Sequence, residues 1–364
     1  MFQPQFHFTP AITKALMDIE ACRQAFVDLP ITATLLAALR ETARLQATHY
    51  STQIEGNRLT FTQVQAVLQG GGPVPGRERD TREVQHYDQA LDEVAALAQQ
   101  PGPLTEEDIQ CLHGVVMEGR KRPTPYRTGQ NVIRDQRTGA IVYLPPEATD
   151  VPALMADLGQ WINQALTTHA LPVPIIAALA HYQFATMHPY YDGNGRTARL
   201  LTTLILHRGG YGLNGVYALE TYYAEHLQDY YDALAVGASH NYYLGRVEAD
   251  ITEFIAYFCT GMAEACARVR AQAQRLQGQG ALDQSSVLRT LTAQQRHALT
   301  LFVQTQRVTT RELATFLRLS PRQAGTLCGK WVQEGFLMVA DPSKKARRYQ
   351  LAPRYEALIV RSLV

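Results

Sequence analysis

The chain has 364 residues, of which 46% are apolar, and a formal net charge of +1. That length suits two or three domains with ample core. No apolar run approaches the ~20 residues of a membrane-spanning helix, residues 1–10 lack the basic start and apolar run of a secretory leader, and five cysteines with no Cys-x-x-Cys pair exclude a disulfide scaffold and fit reduced thiols in a cytoplasm.

The pattern along the chain is mostly helical. Over 31–55 apolar residues recur at helical spacing (Leu35, Leu36, Leu39, Ala43, Leu45), and Gly56-Asn57 supplies a stop. Thr60 and Gln63 make a capping box for a helix reaching Gln69, which Gly70-Gly71-Gly72-Pro73 breaks. Asp80 with Glu83 starts another helix, ended by Pro101, and Thr105 with Asp108 starts a third. Residues 130–134 and 140–144 read instead as two short strands around the polar run Asp135-Gln136-Arg137-Thr138-Gly139. A lone hairpin in a helical body is marginal unless something packs on it. That points to a binding flap, with a stapled surface hairpin as the alternative. Helices resume over 150–167, 174–187 and 196–208, then within 218–236 and 251–277, and the polar stretch 272–284 ends as a linker.

Residues 286–364 read as a separate module. Helices are predicted over 292–304, from the Thr309/Glu312 cap to about Leu319, and from Ser320-Pro321-Arg322-Gln323 to Glu334, where Gly335 stops the last. Strands at 336–339 and 347–351 flank Asp341-Pro342-Ser343-Lys344-Lys345, and three helices with a basic hairpin make a winged helix. This tail carries 13 Lys and Arg against 4 Asp and Glu, whereas residues 1–285 carry 21 against 29. A basic tail on an acidic body points to a polyanion; a basic face docked on that body is the other reading. On a major-groove geometry, Arg322, Gln323, Thr326 and Lys330 sit on the recognition helix, and Lys344, Lys345, Arg347 and Arg348 decorate the wing. Winged helices also mediate protein contacts, so duplex DNA is one expected partner and protein the other.

The densest chemistry lies in residues 188–199. His188 precedes Pro189, and the residue before proline is pushed out of helical conformation, so the imidazole sits where a helix ends and can serve as a base. Asp192 is the one carboxylate of the loop. Beside phosphate it suits Mg²⁺, a hard cation that takes oxygen ligands; a turn residue is the bland alternative. Gly193-Asn194-Gly195 permits close backbone approach just ahead of a helix whose free N–H groups favour anions. Arg196 and Arg199, three apart, share one helical face and suit a polyphosphate. Together these parts suit phosphoryl or nucleotidyl transfer.

From His188 to Arg199 the chain resembles the signature of the Fic family, His-Pro-Phe-x-(Asp/Glu)-Gly-Asn-Gly-Arg-x-x-Arg, with Tyr190 in place of Phe as the departure. The resemblance implies a protein adenylyltransferase that uses ATP and Mg²⁺. His188 would deprotonate a Ser, Thr or Tyr hydroxyl of a target protein or of the enzyme itself. Asp192 would hold the metal, and Gly193, Asn194 and Gly195 would form the anion hole. Arg196 and Arg199 would bind the triphosphate, with Arg199 at its γ-phosphate. Ser51 and Glu55, on one face of the helix ending at Gly56, resemble the inhibitory motif (Ser/Thr)-x-x-x-Glu-(Gly/Asn), which implies that Glu55 pairs with Arg199 and blocks productive ATP. The hairpin corresponds in position to the family's target-docking flap: Gln130 and Asn131 lie in its approach, and Val132 or Ile133 would clamp the target backbone or pack as core. Of Tyr222, Tyr223, Tyr230 and Tyr231, some would line an adenine pocket or all would pack, while His181 and His207 read as structural.

The resulting expectation is an all-α fold class: a Fic-type helical core with a small β-hairpin flap, plus a C-terminal winged-helix domain. Residues 1–100 would form an N-terminal helical region with the inhibitory helix at about 32–56, residues 101–280 the catalytic core and residues 286–364 the winged helix. Removal of AMP, or another phosphoryl or nucleotidyl transfer at the same site, is the first alternative. A DNA-binding regulator with the core as nucleotide sensor is the second. Cytoplasmic location, no membrane partner and a homodimer complete the expectations.

Overall fold

The computed structural model describes residues 2–28, 33–134, 139–237, 239–280, 291–341, 343, 347–352 and 355. The chain divides into two compact units, Met1–Phe26 with Glu41–Arg268, and Val27–Arg40 with Val269–Val364.

The helices up to the tail are α1 (Pro10–Asp28), α2 (Ala33–Ile54), α3 (Phe61–Leu68), α4 (Glu78–Gln99), α5 (Glu106–Glu118), α6 (Val151–Thr168), α7 (Val173–Met187), α8 (Asn194–Arg208), α9 (Leu219–Glu225), α10 (Leu227–Leu234) and α11 (Thr252–Gly280). The core of the larger unit is α7, where Ile175, Ile176, Ala177, Ala178, Leu179 and Ala180 are all fully buried. A helix that is apolar all round belongs at the centre of a fold, and α7 packs on α6 and α8, while α8 also meets α4 and α5. The expected capping boxes of Thr60/Gln63 and Thr105/Asp108 both form, each with its side chain and backbone bonded reciprocally.

Three local expectations change. Helix α1 is absent from them, although its buried Ile12, Ala15, Ile19, Cys22 and Phe26 fall at spacings of three and four. The Asp80 carboxylate does not cap α4, which begins at Glu78 behind Arg77, whose side chain makes no capping hydrogen bond. Asp80 instead accepts the Arg58 N–H at 3.4 Å and, on its carbonyl, the Asn57 Nδ2–H at 2.9 Å, so it fastens the turn that ends α2. The hairpin is shorter than expected: β1 (Ile133–Arg134) pairs antiparallel with β2 (Ile141–Tyr143) in the register Ile133↔Tyr143 and Arg134↔Ile141, with an irregularity between. Residues 135–138 of its turn lie outside the described residues.

The smaller unit contains α12 (Ala293–Gln304), β3 (Val308–Thr309), α13 (Thr310–Phe316), α14 (Pro321–Gln333), β4 (Leu337–Asp341) and β5 (Arg348–Leu351). Its core includes Phe302, Leu313, Trp331, Phe336 and Leu351, with Trp331 and Phe336 edge to face, ring centroids 5.1 Å apart and planes at 79°. Thr292, Thr309 and Ser320 each cap a helix through a full capping box. The sheet is antiparallel in the order β3-β5-β4. Strand β3 is not among the predicted elements, since two residues are too few for a period-two pattern. Helix α13 stops at Phe316 rather than near Leu319, because Arg318 turns left-handed (φ 54°) and the Leu319 N–H reaches back to Ala314 O at 2.9 Å.

Candidate active site

Helix α7 ends where the His-Pro pair requires, with His188 outside the helix as its cap. His188 takes the left-handed conformation (φ 49°, ψ 59°) and caps the helix by donating its N–H to Phe184 O at 3.1 Å. Such a conformation is uncommon outside glycine and persists where the surroundings enforce it. Here the enforcement is visible. Arg127, 3% exposed, donates its Nε–H to His188 O at 3.0 Å and its backbone N–H to Pro189 O at 3.0 Å. The His188 ring is half-buried, its Nδ1 is 3.3 Å from Ala185 O, and burial lowers its pKa below the ordinary imidazole value. A proton on Nδ1 donated to that carbonyl leaves Nε2 as the free base.

The loop that follows is held from inside. Asn194 accepts the Tyr190 N–H on Oδ1 at 2.9 Å and donates Nδ2–H to Tyr190 O at 2.8 Å. Its side chain is therefore spent on closing the loop, and only its backbone N–H is left for an anion. Helix α8 starts at Asn194, two residues earlier than expected, behind Gly193 at φ 78°. The N–H groups of Asn194, Gly195 and Arg196 thus fall in the first turn, where no helical carbonyl precedes them. Tyr190 is 2% exposed and stacks on His113 of α5 with ring centroids 3.5 Å apart and planes within 7°. The extra hydroxyl has Thr124 as its polar neighbour. His113 also meets Asp192 O through Nε2 at 2.9 Å and Thr124 through Nδ1 at 2.7 Å. A Cβ at Gly193 would lie 2.7 Å from Met117 Sδ and 3.1 Å from His113 Nε2, so this position admits only glycine. Neither His113 nor Met117 was legible as part of the site: they stand about 75 residues from the loop and carry no motif.

The Asp192 side chain is 55% exposed at the loop mouth. Its Oδ1 accepts the Gly193 N–H at 2.6 Å and Arg196 Nη2–H at 3.1 Å. Both arginines of the motif are buried, Arg196 at 3% and Arg199 at 2% exposure. Arg199 donates Nε–H to Ser51 Oγ at 2.7 Å and Nη2–H to both Ser51 O at 2.9 Å and Glu55 Oε1 at 2.8 Å. The carboxylate of Glu55, 28% exposed, lies so close to Gly195 that a Cβ there would overlap it, while Arg199 Nη1 would be 3.2 Å from that Cβ. Two buried guanidinium nitrogens, Arg196 Nε and Arg199 Nη1, find no hydrogen-bond acceptor among the described residues. Buried donors are nearly always satisfied, so an anion at the α8 N-terminus would complete both. Asp192 offers a hard oxygen donor beside that position, which fits Mg²⁺ better than a metal needing nitrogen or sulfur ligands.

Behind the arginines the core is polar in a defined way. His181, fully buried, bonds Thr202 Oγ1 through Nδ1 at 2.9 Å and Tyr230 Oη through Nε2 at 2.8 Å. Burial lowers its pKa to about 3, so the ring is neutral. Of the four tyrosines, Tyr223 and Tyr230 pack face to face in the core at 5.0 Å, Tyr222 is buried, and only Tyr231 is exposed.

The flap approach is tied to the loop rather than open. Gln130 donates to Pro145 O at 2.9 Å, Asn131 donates to Tyr190 O at 3.1 Å, and the Gly129 N–H donates to Tyr191 Oη at 2.8 Å. Those bonds take the place of strand pairing over 130–131 and account for the short β1. Val132 and Ile133 are half-buried, whereas Ile141 and Val142 on β2 are exposed.

In the tail, Arg322, Gln323, Thr326 and Lys330 are all exposed on α14, and Arg347 and Arg348 are exposed at β5. Gln323 Oε1 accepts the Ser320 N–H and Oγ–H as the capping-box partner. Lys330 pairs with Glu334 at 3.7 Å. Lys344 and Lys345 lie outside the described residues.

The model of the Fic/DOC family matches residues 103–206. The chain carries a Fic domain. Its Fic domain runs from the approach to α5 into α8 and so takes in the whole loop. The chain is 33% identical over 201 residues to the protein adenylyltransferase fic-1 of Caenorhabditis briggsae and 31% identical over 199 residues to the protein adenylyltransferase Fic of Drosophila willistoni. Each match takes in 54% of this chain but only 38% or 39% of the relative. Among solved structures, a Fic family protein from Desulfovibrio desulfuricans G20 has a TM-score of 0.61 at 25% identity over 97% of this chain and 99% of that one. Fic-1 from Caenorhabditis elegans gives 0.58 at 25% identity over 72% and 73%.

Proposed function

We propose that this protein is an adenylyltransferase that moves AMP from ATP to a hydroxyl of a target protein or of itself, and that Glu55 restrains it. The observation that carries this reading is Arg199: one terminal nitrogen faces Gly195 with no acceptor among the described residues, while the other is held by Glu55. A triphosphate on the α8 N-terminus would bring oxygens to the free N–H groups and to both guanidinium groups. Asp192 would hold Mg²⁺, which supplies charge neutralisation across the phosphates when bound. His188 Nε2 would take the proton of the incoming hydroxyl as its oxygen attacks the α-phosphorus and pyrophosphate leaves. The rest is positioning and fixed charge. Tyr231, exposed and sensing both Glu55 and Arg199 electrostatically, is the aromatic best placed for the adenine. The hairpin, with Ile141 and Val142 exposed on β2, would register an extended target segment by main-chain pairing.

Intact-mass analysis of the Glu55→Gly protein with Mg²⁺ and ATP tests this reading. An increment of AMP on the protein is expected. An increment of phosphate alone would replace the donor chemistry, and no increment on the protein or on lysate proteins would sink it. Removal of AMP by the same site is the second reading, favoured by the Glu55 carboxylate lying against Gly195, where it would orient water; release of AMP from already modified protein by wild type but not by Glu55→Gly is its signature.

The tail supports a winged-helix reading, with three helices, a three-stranded antiparallel sheet and an exposed basic face on α14 and β5. Duplex DNA is the proposed partner. Binding should weaken steeply with salt, by roughly one log unit of affinity per log unit of salt for each phosphate contacted; a flat salt response would favour a protein partner. No described helix is long and apolar enough to cross a membrane, the five cysteines are buried without a disulfide, and a cytoplasmic location is part of the proposal. A homodimer remains part of the proposal from family resemblance alone.

A further inference from the structure

Arg127 stands outside the His188–Arg199 loop, yet its buried guanidinium reaches the first residue of that loop. It donates Nε–H to His188 O at 3.0 Å, Nη1–H to Gly129 O at 3.1 Å and to Gln130 Oε1 at 3.4 Å, and Nη2–H to Pro146 O. None of these acceptors is a carboxylate, and three are backbone carbonyls. Gly129 and Gln130 lie ahead of β1 and Pro146 lies after β2, so one planar group spans both feet of the hairpin and the carbonyl of residue 188. Gln130 already joins the two feet on its own, donating Nε2–H to Pro145 O at 2.9 Å. A neutral amide is therefore enough to close the hairpin base. Burying a charge there costs desolvation, and what the guanidinium adds is the third connection, to His188.

His188 needs that connection. Its backbone sits at φ 49° and ψ 59°, a conformation that relaxes unless neighbours hold it, and any rotation there swings the imidazole. We propose that Arg127 is a positioning residue that ties the base to the hairpin, so that His188 Nε2 and a target segment registered on the hairpin keep one fixed geometry. The fork is specific to arginine. Its five donors lie at set angles in a plane and meet separated carbonyls together, whereas a lysine ammonium is a point charge on a flexible stem. The inference rests on the reading of His188 as the base of AMP transfer.

The test uses the full chain with Glu55→Gly as parent and adds Arg127→Ala or Arg127→Lys. Self-modification gives kcat and KM, titration calorimetry gives Mg²⁺-ATP affinity, and thermal unfolding reports folding. Arg127→Ala should lower kcat by about 10²-fold, the usual consequence of a reacting group misplaced by an ångström. Mg²⁺-ATP affinity should stay within about twofold, because the nucleotide is held by the α8 N-terminus and its arginines. Arg127→Lys should lose nearly as much kcat as Arg127→Ala. Millimolar ethylguanidinium, which replaces the atoms that Arg127→Ala removes, should restore much of the lost rate, and ethylammonium should not. A kcat within about twofold of the parent in Arg127→Ala overturns the proposal. So does full kcat in Arg127→Lys, where charge alone suffices, or an ATP affinity that falls in step with kcat. Rescue no better with ethylguanidinium than with ethylammonium overturns it as well, and loss of cooperative unfolding in both variants makes Arg127 a folding residue instead. A Glu55→Gly parent that itself transfers no AMP fails at the earlier step and removes the proposed activity along with this inference.

Discussion

His188→Ala should bind ATP as tightly as its parent and lose transfer of label from [α-³²P]ATP by about 10²–10⁴-fold, the usual contribution of a positioned base. The separation of binding from rate is the point. His188 lies beyond the anion-binding turn, and none of the contacts that shape that turn uses its ring: Tyr190, Asn194, His113 and Gly193 hold one another. Removing the imidazole therefore leaves the cradle standing. The left-handed backbone at residue 188 is held by Arg127 through the main-chain oxygen, which alanine keeps. The pH profile gives an independent check. Burial lowers the His188 pKa, while the Ala185 carbonyl and the Glu55 charge raise it. The active form is the neutral ring, so the rate should be flat at neutral pH and fall as acid protonates the ring below its ordinary value near 6.5. In Glu55→Gly one raising influence is gone, and the acid limb should move to lower pH. A variant without the imidazole that retains full rate, or an acid limb unmoved by the loss of Glu55, would end the assignment of the base.

The site was legible in the sequence to an unequal degree, and the inequality has a physical cause. A short loop that must present a base, a carboxylate, free N–H groups and two guanidinium groups leaves a contiguous trace, and residues 188–199 carry it. The capping boxes are likewise local, and those at Thr60, Thr105, Thr309 and Ser320 were readable from two residues each, whereas the one at Thr292 went unread. What holds the loop is not local. His113 and Met117 reach it from α5, and Arg127 from the segment before the hairpin. Each is a single side chain whose meaning comes from the tertiary fold, so no spacing betrays it. The same limit explains Asn194. Sequence placed it in an anion hole, but its amide closes on Tyr190, a partner four residues back that the motif does not announce. His181 shows the limit from the other side: reading it as structural is compatible with its neutral ring, yet that ring sits between Thr202 and a tyrosine beside Arg199.

Glu55→Gly should raise self-modification by about 10–100-fold. The estimate follows from what ATP must displace. The Arg199–Glu55 contact is a charge-assisted hydrogen bond at 2.8 Å with the arginine buried and the carboxylate 28% exposed. Such bonds are worth ~1.5–3 kcal/mol, and each ~1.4 kcal/mol is a factor of ten. The carboxylate also occupies the space beside Gly195 that a phosphate would need. Glycine at position 55 removes both obstacles at once. The cost in stability should be modest, because Arg199 keeps Ser51 Oγ and Ser51 O as acceptors and residue 55 already lies past the last turn of α2. Affinity for ATP should rise more than affinity for ADP, since only the longer nucleotide carries the phosphate that competes for Arg199. Glu55→Gln is the informative companion: it fills the same space without the charge, so an intermediate rate would apportion the restraint between electrostatics and occupancy. Self-modification no faster in Glu55→Gly than in wild type would remove Glu55 as the brake and leave its contact with Arg199 as a packing bond at the end of a helix.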